Sequence, residues 1–207
     1  MTIELVTTDG VFRLDGGEWE VTNNIWLVGD DREVIVIDAA HDATPIVAAV
    51  NGRRVSAIAL THGHNDHINA AVALQDAVDA PILLHPADAM LWHDVYPQRS
   101  PDSPLADGDV LRAGGAELGV IHTPGHTPGG CCFALAGGGH VFSGDTLFCG
   151  GPGATGRSYS DFPTIIESIR ARLLTLPPET VVHTGHGETT TIGAEAPDIE
   201  EWLHRGH

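Results

Sequence analysis

The chain contains no lysine and few other cations. Its ten basic residues are all arginines and stand against 28 acidic residues, so the formal net charge is −18 at pH 7. A surface of this sign repels the phosphates of nucleic acids and anionic membrane surfaces. We therefore expect a small molecule as partner and neither nucleic acid nor a membrane, while homo-oligomerisation stays open.

Long apolar runs and a disulfide framework are also missing. No run of roughly 18 apolar residues, the length of a membrane span, occurs. The N-terminal segment "MTIELVTTDG" lacks the basic start and apolar run of a secretory signal. Cys131, Cys132 and Cys149 are three in number and contain no CxxC pair, which fits a reducing cytoplasm. We expect all three thiols to be packing residues rather than metal ligands.

The length of 207 residues and a hydrophobic content of 42% fit a single domain over residues 1–207. Apolar periodicity predicts the following elements. Strands are predicted at 25–29, 33–40, 55–62, 81–86, 109–113, 117–125, 131–136, 140–145 and 180–185. Helices are predicted at 45–51, 68–79, 87–95, 162–174 and 196–204, with a long loop at 96–109. This order favours either two sheets packed face to face with helices outside, or one doubly wound sheet.

The segment "THGHNDH" follows an apolar strand directly. His62 and His64 are two residues apart and point the same way at a strand end. Asp66 and His67 follow at the start of the next predicted helix. Imidazole and carboxylate ligands suit zinc, iron or manganese. Four such side chains begin two metal sites but complete neither, so further ligands must come from elsewhere.

Three later segments each place a ligand-type side chain just after a strand. His126 lies in "HTPGHTPGG", Asp145 in "FSGDTLF" and His186 in "HTGHGETT". Active sites of α/β proteins gather at such strand ends, in glycine-rich loops. The remaining histidines, from His41 to His207, are expected at the surface or in hydrogen-bonded core positions.

Taken in order, these motifs resemble those of the metallo-β-lactamase-fold hydrolases. They are most similar to the glyoxalase II (hydroxyacylglutathione hydrolase) branch. The resemblance implies an αβ/βα four-layer sandwich, with two mixed sheets, helices outside and metals at one edge. It also implies that the C-terminal helical domain of longer glyoxalase II enzymes, which holds part of the thiol, is absent, because the chain ends soon after His186.

The resemblance implies two divalent metal ions, zinc first, with iron or manganese as alternatives. By matched position, the first ion would be held by His62, His64 and His126, the second by Asp66, His67 and His186, and both by Asp145. Asp38, which ends the strand "VIVID", would support the metal loop. A hydroxide bridging the ions would attack a thioester carbonyl, and Asp66 would also pass a proton. A thiolate, with a pKa of about 8.5, leaves with little acid help.

The substrate's tail is the least determined feature. Arg157 and Tyr159 are the nearest candidates to hold it, but "CGGPGATGRSYSDFP" departs from the family's usual basic setting, so glutathione, mycothiol and coenzyme A all stay open as the thiol. Asp145 argues against the main zinc β-lactamase group, which has a cysteine there. The alternatives are a persulfide dioxygenase with one iron, a lactone hydrolase, and a metal store or sensor.

Overall fold

The chain folds into two mixed β-sheets of largely apolar strands. The structure is a computed structural model that describes residues 1–206. His207, which we expected at the surface, lies outside the described residues. In chain order, which is also the spatial order, the first sheet contains β1 (Thr2–Leu14), β2 (Gly17–Gly29), β3 (Glu33–Ile37), β4 (Arg54–Ala59), β5 (Ile82–Leu84) and β6 (Ser103–Pro104). Strands β1 to β3 pair antiparallel, and β3 to β6 pair parallel.

The second sheet is built from the later part of the chain. In chain order the strands are β7 (Val110–Ala113), β8 (Ala116–His122), β9 (Cys131–Leu135), β10 (His140–Gly144), β11 (Leu147–Phe148), β12 (Gly151–Pro152), β13 (Val181–Thr184) and β14 (Thr190–Thr191). Strands β11 and β12 form a separate two-stranded ribbon, and the spatial order of the sheet is β14-β13-β10-β9-β8-β7. Only β10 and β13 pair parallel in this sheet.

Helices lie on the outer face of each sheet. The α-helices are α1 (Ala43–Val50), α2 (Asn65–Ile68), α3 (Ala71–Val78), α4 (Ala89–Val95), α5 (Phe162–Ser168), α6 (Ile192–Glu195) and α7 (Ile199–Arg205). Short 3-10 turns cover Pro86–Asp88 and Ala196–Asp198, and a π-helical turn at Ile169–Leu173 extends α5. Within residues 1–206, no helix combines the length and apolarity that crossing a bilayer requires.

Three apolar layers fill the spaces between these elements. On β2, Leu27 packs beneath the helices of the first sheet, while its neighbour Trp26 points between the sheets, where its ring centroid lies 6.0 Å from that of Phe142. On β9, Cys132 turns the other way and joins the layer with Trp202 of α7. Neighbouring residues alternate faces because side chains on a strand have a period of two. The fold is therefore the four-layer αβ/βα sandwich that the motifs implied, and the single doubly wound sheet is wrong.

The largest difference from the predicted elements is the hairpin of β1 and β2. We predicted only residues 25–29 of it. Many of its side chains before Asn23 are exposed, so its apolar alternation is weak. The turn signal is nonetheless in the sequence, because Asp15 and Gly16 are both in the left-handed region, at φ 53° and 77°, as a tight hairpin turn requires.

The helix that we predicted at 68–79 is interrupted. Helix α2 ends at Ile68 and α3 begins at Ala71. The break lies where the Ala39 backbone bonds to both sides, since Ala39 N–H donates to the His67 carbonyl and Ala70 N–H donates to the Ala39 carbonyl. Tertiary hydrogen bonds therefore override a periodicity that is continuous in the sequence.

Candidate metal centre

Three histidines meet at the end of β4 and the turn after β8. His62 Nε2 lies 3.1 Å from His64 Nδ1, which lies 3.0 Å from His126 Nε2. Burial lowers the pKa of His62 well below its usual range and that of His64 to about 3, so both rings are neutral. Neutral imidazoles present the lone pairs that a metal ion needs.

A second cluster lies at the first turn of α2 and the loop after β13. His67 Nε2 is 3.1 Å from His186 Nε2, which is 3.3 Å from Asp66 Oδ2. Asp66 and His67 are adjacent in α2, whose four residues are short enough to sit entirely at the sheet edge. The two clusters are therefore held by different elements that end at the same edge.

Asp145 lies between the two clusters, just after β10. One of its carboxylate oxygens is 3.3 Å from His67 Nε2, and the other is 3.5 Å from both His126 Nε2 and His186 Nε2. Burial opposes the negative charge, but His67 and His186 hold the pKa of this carboxyl well below its usual range. Gly185 makes room for it, because a Cβ there would lie 2.3 Å from Asp145 Oδ1.

Backbone carbonyls and a carboxylate fix the orientation of three rings. His126 Nδ1–H donates to the Ala154 carbonyl at 2.9 Å, and His186 Nδ1–H donates to the Thr22 carbonyl at 2.8 Å. His67 Nδ1–H donates to Asp38 Oδ2 at 2.9 Å. Because these acceptors require the hydrogen on Nδ1, each Nε2 of the neutral ring points inward as a lone pair.

Asp38 connects the loop after β4 with the first turn of α2. Besides His67, it accepts the backbone N–H of Thr61 at 2.8 Å and the Thr61 hydroxyl at 2.9 Å. Its backbone is in the left-handed region at φ 62°, which a residue other than glycine adopts at a cost. This contact pattern is the one that a residue supporting the metal loop would make, which is the role that we propose for it.

The nitrogen and oxygen atoms of the two clusters are arranged as ligands of metal ions rather than as partners in hydrogen bonds alone. Among residues 1–206, the buried Asp66 Oδ1 and Asp145 Oδ1 have no hydrogen-bond partner. Nitrogens of different histidine rings also face each other at 3.0–3.1 Å. A tetrahedral zinc ion with bonds of about 2.0 Å to nitrogen separates its ligands by about 3.3 Å. The residues therefore fit one ion in each cluster, and mixed nitrogen and oxygen donors suit zinc, iron or manganese.

The charge balance of the site favours the same conclusion. Burial alone would lower the pKa of His186, but Asp145 and Asp66 raise it to about 10. Burial also opposes the charge of His67, yet Asp145, Asp66 and Asp38 raise its pKa well above the usual range. Without ions, the carboxylates thus recruit protons to the histidines. Divalent ions would supply that positive charge and release the protons.

Asp88 is a buried residue of the site that the sequence analysis missed. Its carboxylate accepts the backbone N–H groups of Gly63 and Gly129, at 2.8 and 2.6 Å, and the Thr127 hydroxyl at 2.7 Å. It therefore ties the loop of His62 and His64 to the loop of His126. Burial raises the pKa of Asp88 although the three donors lower it. The only sequence signal was an acid placed next to an apolar helix.

We expect the Asp88→Asn variant to lose metal affinity in the first cluster by about 10- to 100-fold, as typical for residues that orient ligands. The amide replaces an acceptor with a donor that faces other donors, which also costs about 1–3 kcal/mol of unfolding free energy. Metal titration and thermal unfolding measure both effects. The control is Asp94→Asn, an exposed position on α4. Unchanged metal affinity in the Asp88 variant would show that the two loops hold their positions without it.

A pocket of about 410 Å³ opens onto the two clusters. Its walls come from the β1–β2 hairpin, the ribbon of β11 and β12, and the loop before α5. The lining residues outside the clusters include Phe12, Trp19, Phe148 and Arg157. The Arg157 guanidinium stacks on the Trp19 ring at 3.7 Å from its centroid. Of the two residues predicted to hold a substrate tail, Arg157 is at the pocket, whereas Tyr159 is an exposed side chain that is not among the lining residues.

The cysteines divide between two outcomes. Cys131 and Cys132 are buried in apolar layers, which confirms the packing prediction, and burial raises the pKa of Cys132 to about 11. Cys149 is exposed at the tip of the β11–β12 ribbon, so the packing prediction is wrong there. A turn of two residues leaves a side chain no layer to enter.

Similarity to known proteins covers every residue of the candidate metal centre. The profile of the metallo-beta-lactamase superfamily matches residues 19–186, a span that contains all seven candidate ligands. A curated relative, hydroxyacylglutathione hydrolase GloC of Haemophilus influenzae, is 32% identical over 186 residues, which cover 83% of this chain and 87% of the relative.

Three solved structures are similar to this chain over most of their length. The BLEG-1 B3 metallo-beta-lactamase matches with a TM-score of 0.78 at 28% identity, covering 92% of this chain and 97% of its own. TTHA1623, solved in a di-iron-bound form, matches with a TM-score of 0.74 at 36% identity, covering 85% and 93%. ETHE1 from Myxococcus xanthus matches with a TM-score of 0.77 at 25% identity, covering 100% and 90%.

Proposed function

Because the chain belongs to the metallo-beta-lactamase superfamily, we propose that it acts as a single-domain binuclear metallohydrolase on a thioester of a small thiol. The observation that carries this proposal is the pair of donor clusters that share Asp145 at the floor of one pocket. The second cluster has its own oriented rings, which favours two ions over one. The similarity to a hydroxyacylglutathione hydrolase supports the choice of substrate class.

Two divalent ions held by these side chains would supply a hydroxide nucleophile at neutral pH and stabilise negative charge on the carbonyl oxygen. The protein's own part is to orient the ligands through Asp38, Thr22 and Ala154, and to shield the reacting carbonyl within the pocket. Asp66 and Asp145 keep the centre anionic, so that it retains two cations. Asp66 Oδ1, which has no hydrogen-bond partner among the described residues, is the oxygen that we assign to an ion or a passing proton.

The leaving group decides between thioesters and other acyl substrates. Outside the two clusters, Arg157 is the only ionisable side chain among the described residues that line the pocket, and a guanidinium does not give up its proton. An alkoxide or an amine would need a proton from a general acid as it leaves. A thiolate, with a pKa of about 8.5, needs little such help. If an ion occupies Asp66, the described lining residues offer such a leaving group no further acid, which supports a thioester over a lactone or a lactam.

Metal content, joined to a small substrate panel, tests the proposal. We expect about two ions per chain and release of free thiol from S-acyl substrates. Cleavage of a lactone and a lactam of similar size should be much slower. One iron per chain, with oxygen consumed in the presence of a persulfide, would support the dioxygenase alternative instead. Metal-loaded protein that cleaves an ester or amide but no thioester would contradict the proposal.

We further propose that Arg157 binds the tail of the thiol. We expect Arg157→Ala to raise KM by about 10- to 150-fold for a thioester with a carboxylate tail while kcat stays within about twofold, because a lost hydrogen bond to a charged group costs roughly 1.5–3 kcal/mol. The matched control is Arg32→Ala, which removes the same charge from a side chain that is 88% exposed. An equal rise in KM for a thioester with a neutral tail would contradict the proposal that Arg157 binds a charged tail. We do not extend the role to Tyr159.

A further inference from the structure

A buried amide links the second cluster to the inner side of the β1–β2 hairpin. Asn23 of β2 is fully buried, with 0% of its surface exposed. Its Nδ2 lies 3.2 Å from Asp66 Oδ2 and 3.4 Å from His186 Nε2. Its Oδ1 lies 2.8 Å from Nε2 of His41, which is in the loop before α1. Neither Asn23 nor His41 belongs to the motifs that supply the candidate ligands.

The chemistry at one end fixes every donor in this chain of contacts. An ionised carboxylate only accepts hydrogen bonds, so Asn23 must present its NH₂ group to Asp66 and its carbonyl to His41. The His41 ring must then carry its hydrogen on Nε2, which leaves a lone pair on Nδ1. That lone pair faces Asn69 Nδ2 at 3.2 Å, and the Asn69 carbonyl accepts the His41 backbone N–H. Hydrogen bonds therefore run in one direction, from Asn69 through His41 and Asn23 to Asp66.

Two features of the backbone are explained by the seating of His41. Its φ of 59° lies in the left-handed region, which costs a residue other than glycine free energy. Gly10 of β1 crosses over the ring, and a Cβ at that position would lie 2.1 Å from His41 Nδ1. The fold therefore accepts a strained histidine and an obligatory glycine to keep this ring in place.

The arrangement fixes the orientation of the Asp66 carboxylate. Its Oδ2 is held by Asn23, while its Oδ1 is buried and has no hydrogen-bond partner in the described part of the chain. Fixing one oxygen sets the rotation of the carboxylate, and so sets the direction of the free oxygen. The first cluster of His62, His64 and His126 makes no contact with Asn23 or His41 among the hydrogen bonds of residues 1–206.

We propose that His41 is a positioning residue that acts through Asn23 to orient Asp66, and that it thereby sets the affinity for the second metal ion and not for the first. This inference rests on the proposed binuclear centre, but it does not depend on which substrate the centre cleaves. Residues that orient a ligand typically contribute 10- to 100-fold to metal affinity.

The test compares two substitutions of similar length at one position. His41→Met removes the donor, and His41→Gln keeps an N–H near the place of Nε2, while both face the same backbone strain. Zinc is titrated against a chromophoric chelator to obtain the two dissociation constants separately. We expect His41→Met to weaken the second ion by about 10- to 100-fold and the first by less than about twofold. We expect His41→Gln to retain second-ion affinity within about threefold of the unsubstituted protein.

Asn23→Ala provides an independent arm. If His41 acts through Asn23, then His41→Met added to Asn23→Ala should weaken the second ion no further, since the two effects share one path. Equal weakening of both ions, unchanged affinity in His41→Met, additive effects in the double variant, or a His41→Gln protein that behaves like His41→Met would each overturn the inference. Two bound ions without thioester cleavage would instead contradict the proposed function and leave this inference in place.

Discussion

Dialysis against a strong chelator is expected to abolish thioester cleavage, and two equivalents of zinc per chain are expected to restore it. Neither serine that lines the pocket is hydrogen-bonded to a histidine among residues 1–206, since the Ser158 backbone N–H donates to the Asp15 carboxylate and the Ser160 hydroxyl donates to the Arg157 carbonyl. Without ions, the positive charge in the centre comes from protons on His67 and His186. A protonated imidazole offers neither a lone pair nor a hydroxide.

The same treatment should lower the melting temperature. Ligands that bind only the folded state stabilise it by about 4 kcal/mol when their free concentration is a thousandfold above Kd. Calorimetry of the dialysed and the zinc-restored protein measures this difference. A sample treated with zinc-saturated chelator controls for effects of the chelator itself. Cleavage that survives in protein containing less than about a tenth of an ion per chain would contradict a metal-dependent reaction.

Replacement of Asp145 by asparagine should cost on the order of 1000-fold in kcat/KM, more than the 10- to 100-fold expected of residues that only orient ligands. Among residues 1–206, Asp145 is the one carboxylate within contact distance of both clusters. The amide keeps the size of the side chain but removes the negative charge that holds two cations near each other. Metal analysis should therefore also show fewer than two ions per chain.

This variant separates chemistry from folding. In the metal-free protein the Asp145 carboxylate pairs with the protonated rings of His67 and His186, so the metal-free variant should unfold at a lower temperature than the metal-free unsubstituted protein. A melting temperature that stays above the assay temperature shows that the lost activity is not lost folding. Asp31→Asn is the matched control, because it removes the same charge from a side chain that is 90% exposed. Two firmly bound ions and full activity in the Asp145 variant would show that the clusters do not share this carboxylate.

The candidate donors were readable from the sequence because their chemistry and their position are both local. A histidine pair after an apolar strand, or an aspartate after "VFSG", needs only the strand period and the residue type to be noticed. The structure brings the seven side chains to one sheet edge, as the positions at strand ends predicted. The roles of metal ligands that we assign to them remain proposals that metal titration can test.

Residues that act between segments gave no comparable signal. Asp88 looks like an ordinary acid before a helix, and Asn23 looks like one of two polar residues opening an apolar strand. Their importance comes from contacts with residues 39 to 43 positions away in the chain. The break between α2 and α3 has the same origin, because hydrogen bonds to Ala39 interrupt a helical period.

The sequence by itself determined the candidate metal donors, the order in which they arrive and an alternation of strands and helices that left two sheet arrangements open, since these follow from side-chain type and short-range periodicity. The choice of the four-layer sandwich came from the resemblance of the motifs to a known family. Only the tertiary structure decided which nitrogen of each histidine ring faces the centre. It also decided which carboxylates accept hydrogen bonds from the loops of the candidate ligands and which belong to the clusters, and it placed the N-terminal hairpin in the wall of the pocket. Those features depend on where distant backbone carbonyls and amides come to lie. That placement is fixed by the packing of the whole domain rather than by any local stretch of residues.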